Sequence, residues 1–316
     1  MKKPNFFIVG APKSGTTALS EYLRQHPNIF ICKEKEPNFW NDDFHNVSQV
    51  STLEEYLALF EDAQEQHVVI GEATVNYLYS ERALPRIWEF NPEARLVALL
   101  RNPVDLAYSW HSQMLFGLYE DEPDFERAWN LQAERAEGRH LPKHCVEPKV
   151  LQYKKIALLG EQVERMLSIF PRDQIQLCLF DDFRIAAGSV YRNVLQFLGL
   201  PDDGRTEFPV INENKIHRHA LLARLIERPP RFWTASARMI KNTLGLQSIG
   251  LLKRMREINK VPVKRSPMPQ ALRRRLVEEF RDDILKLQAI LGRDLSHWLA
   301  VNETTTVETH AGKDNR

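Results

Sequence analysis

Short apolar runs alternate with helical stretches through the first two thirds of the chain. "FFIVG" at 6–10, "HVVIGE" at 67–72, "RLVALLR" at 95–101 and "QIQLCLFDDF" at 174–183 read as buried strands. Helical spacing of apolar residues covers 16–25, 52–61, 103–117, 155–169, 189–198, 218–228 and 269–291. The last of these opens with Pro269 and stops at Gly292, the residue types that start and end helices. Strands alternating with helices predict an α/β, three-layer fold with a mostly parallel central sheet flanked by helices.

Residues 200–268 are rich in Arg, Lys, Asn and Pro with broken periodicity, which predicts loops and short helices at the sheet edge. The tail at 300–316 has little to anchor it and is expected to be disordered, leaving a single domain over 1–299.

Composition narrows the function classes. Lys+Arg 43 against Asp+Glu 42 leaves a net charge of +1, so no global field attracts nucleic acid or an anionic membrane, and any anion site must be local. Cys32, Cys145 and Cys178 have no metal-ligand spacing, which favours reduced thiols and a cytoplasmic location. Met1-Lys2-Lys3 precedes too short an apolar run for a signal peptide, and no segment approaches the ~20 apolar residues of a membrane span. The Asn-x-Ser/Thr triplets at Asn46 and Asn302 therefore read as chance.

The chemistry concentrates at "IVGAPKSGTTALSEYL", residues 8–23. Gly10 and Gly15 have the spacing of a phosphate-binding loop between strand and helix, where backbone N–H groups and a helix N-terminus cradle phosphate. Thr16, however, stands where the usual lysine would be, and Lys13 lies inside the loop. Magnesium-dependent nucleotide hydrolysis also needs an Asp at a neighbouring strand end. "RLVALL" ends instead in Arg101, which suits direct phosphate binding, while Asp181 and Asp182 after "IQLCLF" keep a magnesium-dependent kinase or NTPase open as the alternative. Protein cations without a metal suit a nucleotide carrying two separate phosphate groups.

These residues resemble the sulfotransferases that use 3′-phosphoadenosine 5′-phosphosulfate (PAPS), in particular the bacterial and heparan-sulfate-type branch. The resemblance rests on Pro12-Lys13-Ser14-Gly15-Thr16-Thr17, on "RNPVDLAYS" with Arg101 and Ser109, and on "HPNIFICKEKEPNFW", which puts Lys35 and Glu36 in register with Phe39 and Trp40. "GEATVNYLYS", "FPRDQIQLCLFDDF", "RNVLQFLGLP" and "LGRDLSHWL" follow in the family's order, so the likeness spans about residues 5–299. Three features depart from the pattern. Ala157-Leu158-Leu159 replaces a G-x-Tyr, and the late loop that closes over the nucleotide is not legible, "INKVPVKRSPMP" being its only candidate. No Cys follows Cys178, so the late disulfide of the heparan-type enzymes is missing, which argues against a Golgi enzyme.

The resemblance implies transfer of sulfonate from PAPS, with PAP as product and no metal, to a hydroxyl or, as second choice, an amine. The acceptor is expected to be a small molecule, lipid or carbohydrate. Lys13, Ser14, Gly15, Thr16 and Thr17 would hold the 5′-phosphosulfate, with Thr16 and Thr17 also capping the helix, while Arg101 and Ser109 take the 3′-phosphate. Lys13 would meet the charge building on the leaving oxygen. Glu36 is the candidate general base and His111 its rival; Lys35, Glu72, Thr74 and Tyr77 are expected to line the acceptor cleft. A catalytically silent nucleotide-binding module is the remaining alternative.

Overall fold

The computed structural model describes residues 2–45, 47–211, 215–217, 260–262 and 265–301. Five parallel strands, β1 (Phe6–Gly10), β2 (Ile29–Ile31), β3 (Val69–Ala73), β4 (Arg95–Leu100) and β5 (Ile175–Leu179), form one sheet in the order β2-β3-β1-β4-β5. Alternate residues of the same strands feed two cores. Phe7, Val9, Leu96, Ala98 and Leu100 face one, covered by helices Pro103–Phe116, Leu159–Ile169 and Gln270–Leu291. Phe6, Ile8, Val97 and Leu99 face the other, under helices Thr16–Leu23 and Ala187–Leu198. Burial on both faces is why these strands are continuously apolar instead of alternating.

The strand order reverses at β1, which sits between β3 and β4. Open parallel sheets form their ligand crevice at the carboxyl ends of strands beside such a reversal. Here that crevice receives the loop after Gly10, the residues after Ala73, and Arg101 directly after Leu100.

Several elements depart from the sequence pattern. The run 174–183 is a strand only to Leu179; Phe180–Ile185 is a helix, with Asp181 and Asp182 in its first turn, where the positive end of the helix dipole favours carboxylates. The stretch 155–169 divides into helices Tyr153–Ala157 and Leu159–Ile169. The Asp283 carboxylate accepts the Gly160 and Glu161 N–H groups at 2.8 and 2.9 Å, satisfying the start of the second helix. Strand β2, at three residues, is too short to announce itself. In the region expected to be loops and short helices, Lys215–His217 and Lys260–Pro262 pair as antiparallel strands. The helix expected at 218–228 and the tail beyond 301 lie outside the described residues.

Candidate active site

The loop from β1 to helix Thr16–Leu23 turns on Gly15, whose backbone is left-handed at φ +91°. A Cβ there would stand 3.0 Å from the Phe183 ring, so both conformation and packing demand glycine. Gly15 is the helix N-cap and offers no side-chain acceptor. Thr16 and Thr17 are therefore the first helical residues and not its caps, contrary to the sequence reading, and both line the cleft at the positive end of the helix. Ser14 is fully buried, its hydroxyl directed to the Pro12 carbonyl at 3.3 Å.

Arg101 is positioned by the turn that follows β4. The Asn102 side-chain oxygen accepts the Val104 and Asp105 N–H groups at 3.0 and 3.4 Å, and Pro103 opens the helix, so the chain turns sharply just beyond the arginine. The Arg101 guanidinium donates to the Lys13 carbonyl at 2.7 Å and lies 4.7 Å from the Phe180 ring centre. Two turns along that helix, the Ser109 hydroxyl accepts from Arg265 at 3.1 Å, while Arg265 Nε donates to Ser112 Oγ at 2.9 Å. The Tyr108 ring stacks under the same guanidinium at 4.9 Å. Arg265 belongs to the stretch that resisted assignment from sequence. It lies within "INKVPVKRSPMP", the segment named from the sequence as the candidate late loop but given no assigned residues, and its pairing with Ser109 and Ser112 brings it to the cleft.

Lys13, Arg101 and Arg265 all line one cleft of about 960 Å³. The Lys13 ammonium donates to the neutral Gln113 Oε1 at 3.0 Å. Burial, then repulsion from Arg265, Arg101 and Lys35, lowers its pKa from 10.5 to about 8, with Glu36 opposing the shift. Such crowding of cations is costly without an anion between them.

Glu36 and Lys35 line the same cleft, with Lys35 Nζ 3.3 Å from Glu36 Oε1. The Glu36 carbonyl accepts from Asn38 Nδ2 at 2.9 Å and Gln49 Nε2 at 3.1 Å, which fixes the backbone beside the carboxylate. Expected in the acceptor wall, Glu72, Thr74 and Tyr77 instead lie beneath it, fully buried. Thr74 Oγ1, Tyr56 OH and Tyr77 OH donate to the Glu72 carboxyl at 2.6, 2.7 and 2.9 Å. The Tyr77 oxygen in turn accepts the Phe39 and Trp40 N–H groups at 3.2 and 3.4 Å. This network anchors the segment that carries Glu36. Burial raises the Glu72 pKa from 4.5 to about 7 despite its three donors.

His111 is packed between Phe125 and Tyr153, and its Nε2 lies 2.9 Å from the Glu122 carbonyl. It is not among the residues lining the cleft, and burial lowers its pKa. Asp181 is occupied as well: its carboxylate accepts from Trp298 Nε1 at 2.6 Å and meets His297 Nε2 at 3.0 Å. Asp182 is bound by the Arg293 guanidinium, with one bond at 2.7 Å. Neither aspartate lines the cleft and both carboxylates are held by side-chain donors, which does not favour the kinase alternative.

Comparison with known proteins agrees with this geometry. A family model for the sulfotransferase domain matches residues 3–221. The human bifunctional heparan sulfate N-deacetylase/N-sulfotransferase 3 is 27% identical over 208 residues, covering 62% of this chain and 22% of that protein. The membrane-associated sulfotransferase kil1 of Dictyostelium discoideum is 37% identical over 108 residues, covering 34% of this chain and 22% of its own length. The chain thus matches about a fifth of the length of either relative. A crystal structure of a sulfotransferase from Alicyclobacillus acidocaldarius superposes with a TM-score of 0.69 at 27% identity, over 95% of this chain and 100% of that one.

Proposed function

The chain belongs to the sulfotransferase domain family, and from that premise we propose that it moves sulfonate from PAPS to an acceptor hydroxyl without a metal, releasing PAP. The convergence of Lys13, Arg101 and Arg265 in one cleft carries the reading. Burial, and then repulsion among these cations, depresses the Lys13 pKa, and a bound phosphosulfate would relieve the repulsion.

Their positions support the following roles. The amides at the start of helix Thr16–Leu23, with Lys13, hold the 5′-phosphosulfate. Arg101, Ser109 and Arg265 hold the 3′-phosphate, and Phe180 and Phe183 flank the base beyond the Gly15 loop. In the transfer, the acceptor oxygen forms a bond to sulfur as the bridging S–O bond breaks. Its proton passes to Glu36, and the departing oxygen takes the electron pair beside Lys13. The neutral Gln113 partner leaves the Lys13 charge free to meet that oxygen.

Transfer of labelled sulfonate from PAPS in the presence of EDTA, beside ATP hydrolysis with magnesium, tests the proposal. Metal-independent release of PAP coupled to a sulfated product supports it. ATP turnover with no sulfonate transfer would replace it with the kinase-type reading.

A further inference from the structure

Glu36 sits on a stretch that the sheet does not hold. Between β2, which ends at Ile31, and helix Leu53–Ala58, the described residues of 32–52 form neither strand nor helix. The stretch nevertheless supplies Lys35, Glu36, Asn38, Val47 and Gln49 to the cleft. Its near part is fastened from below, where the Tyr77 oxygen accepts the Phe39 and Trp40 N–H groups. The far part is fastened elsewhere.

Glu147 is that second anchor. It is 2% exposed, and its two carboxylate oxygens accept the His45 N–H at 2.6 Å and the Lys149 N–H at 2.9 Å. Burying a carboxylate is costly unless donors replace its water, and here the donors are backbone groups of the two segments that it joins. Lys149 completes the clasp, its Nζ donating to Asp43 Oδ2 at 3.0 Å and lying 5.2 Å from the Phe44 ring centre.

Both ends of this clasp lead back to the cleft. On one side the Gln49 N–H donates to the Pro37 carbonyl at 3.0 Å and Gln49 Nε2 to the Glu36 carbonyl at 3.1 Å, so a displacement of His45 passes to the backbone of Glu36. On the other, Trp110 Nε1 donates to the Val150 carbonyl at 2.7 Å, which ties the 147–150 segment to helix Pro103–Phe116. That helix carries Gln113, the partner of Lys13. One series of contacts thus joins the candidate base to the loop lysine.

We infer that Glu147 is a positioning residue, which sets the Glu36 carboxylate relative to Lys13 by clasping His45 to the 147–150 segment. This rests on the sulfonate-transfer reading above, in which Glu36 takes the acceptor proton. A shift of ~1 Å in a reacting group can cost about 10² in rate, so a stretch without regular structure needs such a fastening.

The test reads the place of Glu36 from Lys13, whose pKa Glu36 raises against the other influences on it. Full-length protein labelled at the lysine Cε is titrated by NMR, with the Lys13 signal assigned from Lys13→Ala. Lys13 should titrate lower in Glu36→Gln, and lower by a smaller step in Glu147→Gln, while the double variant should match Glu36→Gln alone because Glu147 acts through Glu36. Amide hydrogen exchange at residues 43–49 should quicken about tenfold or more in Glu147→Gln, with β1, β4 and PAP affinity unchanged. His45→Pro deletes the donated N–H at an exposed position, so it should give the same pattern even where Glu147→Gln fails to fold. Lys13 titrating as in wild type in Glu36→Gln or in both clasp variants, a Glu147→Gln shift that persists undiminished beside Glu36→Gln, or exchange unchanged at 43–49 would overturn the inference. Failure of the wild type to bind PAP at all would instead strike the sulfotransferase reading itself.

Discussion

The Lys13 ammonium hydrogen-bonds the uncharged Gln113 side-chain oxygen at 3.0 Å while Arg101 and Arg265 repel it, so the loop lysine is held partly desolvated and short of negative charge. Its pKa of about 8 lies within reach of ordinary buffers. An anion placed beside it raises that value, so PAP binding at a pH of about 8.5 should draw in a proton. The phosphate groups themselves titrate near ~6 and contribute little there. Calorimetry in buffers of different ionisation enthalpy should detect uptake of up to about one proton at that pH, fading towards pH ~6 and disappearing in Lys13→Ala. Uptake unaffected by Lys13→Ala would mean that another group titrates.

Glu36 and His111 divide clearly once their surroundings are known. Glu36→Gln retains shape but cannot take the acceptor proton, and should lower turnover by about 10²–10⁴ with PAP affinity nearly intact. His111 lies in an aromatic core away from the cleft, so His111→Gln should act on stability, with kcat little changed in the folded fraction. Steady-state kinetics on both variants, normalised to PAP-binding sites, checks this. A near-normal Glu36→Gln beside an inactive, PAP-binding His111→Gln would reverse the roles.

Much of this site is legible in the sequence because it depends on local geometry. Gly15 is written into the chain by a left-handed turn, and Arg101 by the strand end and Asn-Pro turn that aim it. Burial of β1, β3 and β4 on both faces gives continuous apolar runs, which is why the strands were visible. What spacing does not encode is which side of a strand end faces the cleft. Glu72, Thr74 and Tyr77 carry polar groups that read as lining residues but point into a satisfied network beneath. The segment holding Arg265 was pointed to from the sequence but no residue in it was assigned, since Arg265 is brought to Ser109 by a contact 156 residues apart that no local pattern predicts.

The buried Glu72 carboxyl makes stability depend on pH in a definite direction. Its folded pKa of about 7 exceeds the unfolded carboxyl's ~4.3, so the native state holds the proton more tightly. Its contribution is full below the unfolded value and is lost as pH rises towards 7. Urea unfolding of wild type and Glu72→Gln at pH ~5 and pH ~8 should show the wild type's relative advantage shrinking at the higher pH. An equal difference at both would mean that Glu72 does not titrate in this range.

Tyr77 links that network to the segment carrying Glu36, the proposed base, because its oxygen receives the Phe39 and Trp40 N–H groups. Tyr77→Phe should cost roughly 1–3 kcal/mol of stability through unmade buried hydrogen bonds. Turnover should fall as well, with PAP affinity unchanged, since the loosened segment carries Glu36 and not the phosphate loop. Denaturant unfolding, kinetics and PAP titration of the same preparation separate these effects. A parallel loss of PAP affinity would contradict the assignment.

The central claim is that this cleft recognises a nucleotide bearing two separate phosphate groups by means of protein cations. Titration of PAP and of AMP into the wild type, Arg101→Ala and Arg265→Ala, all in EDTA, tests it most directly. PAP should bind the wild type without magnesium and lose about ten- to a hundredfold in affinity in each variant, the worth of a charged hydrogen bond of roughly 1.5–3 kcal/mol. AMP, which lacks the 3′-phosphate, should bind all three proteins about equally. Equal losses for PAP and AMP, or PAP binding that requires magnesium, would contradict the account.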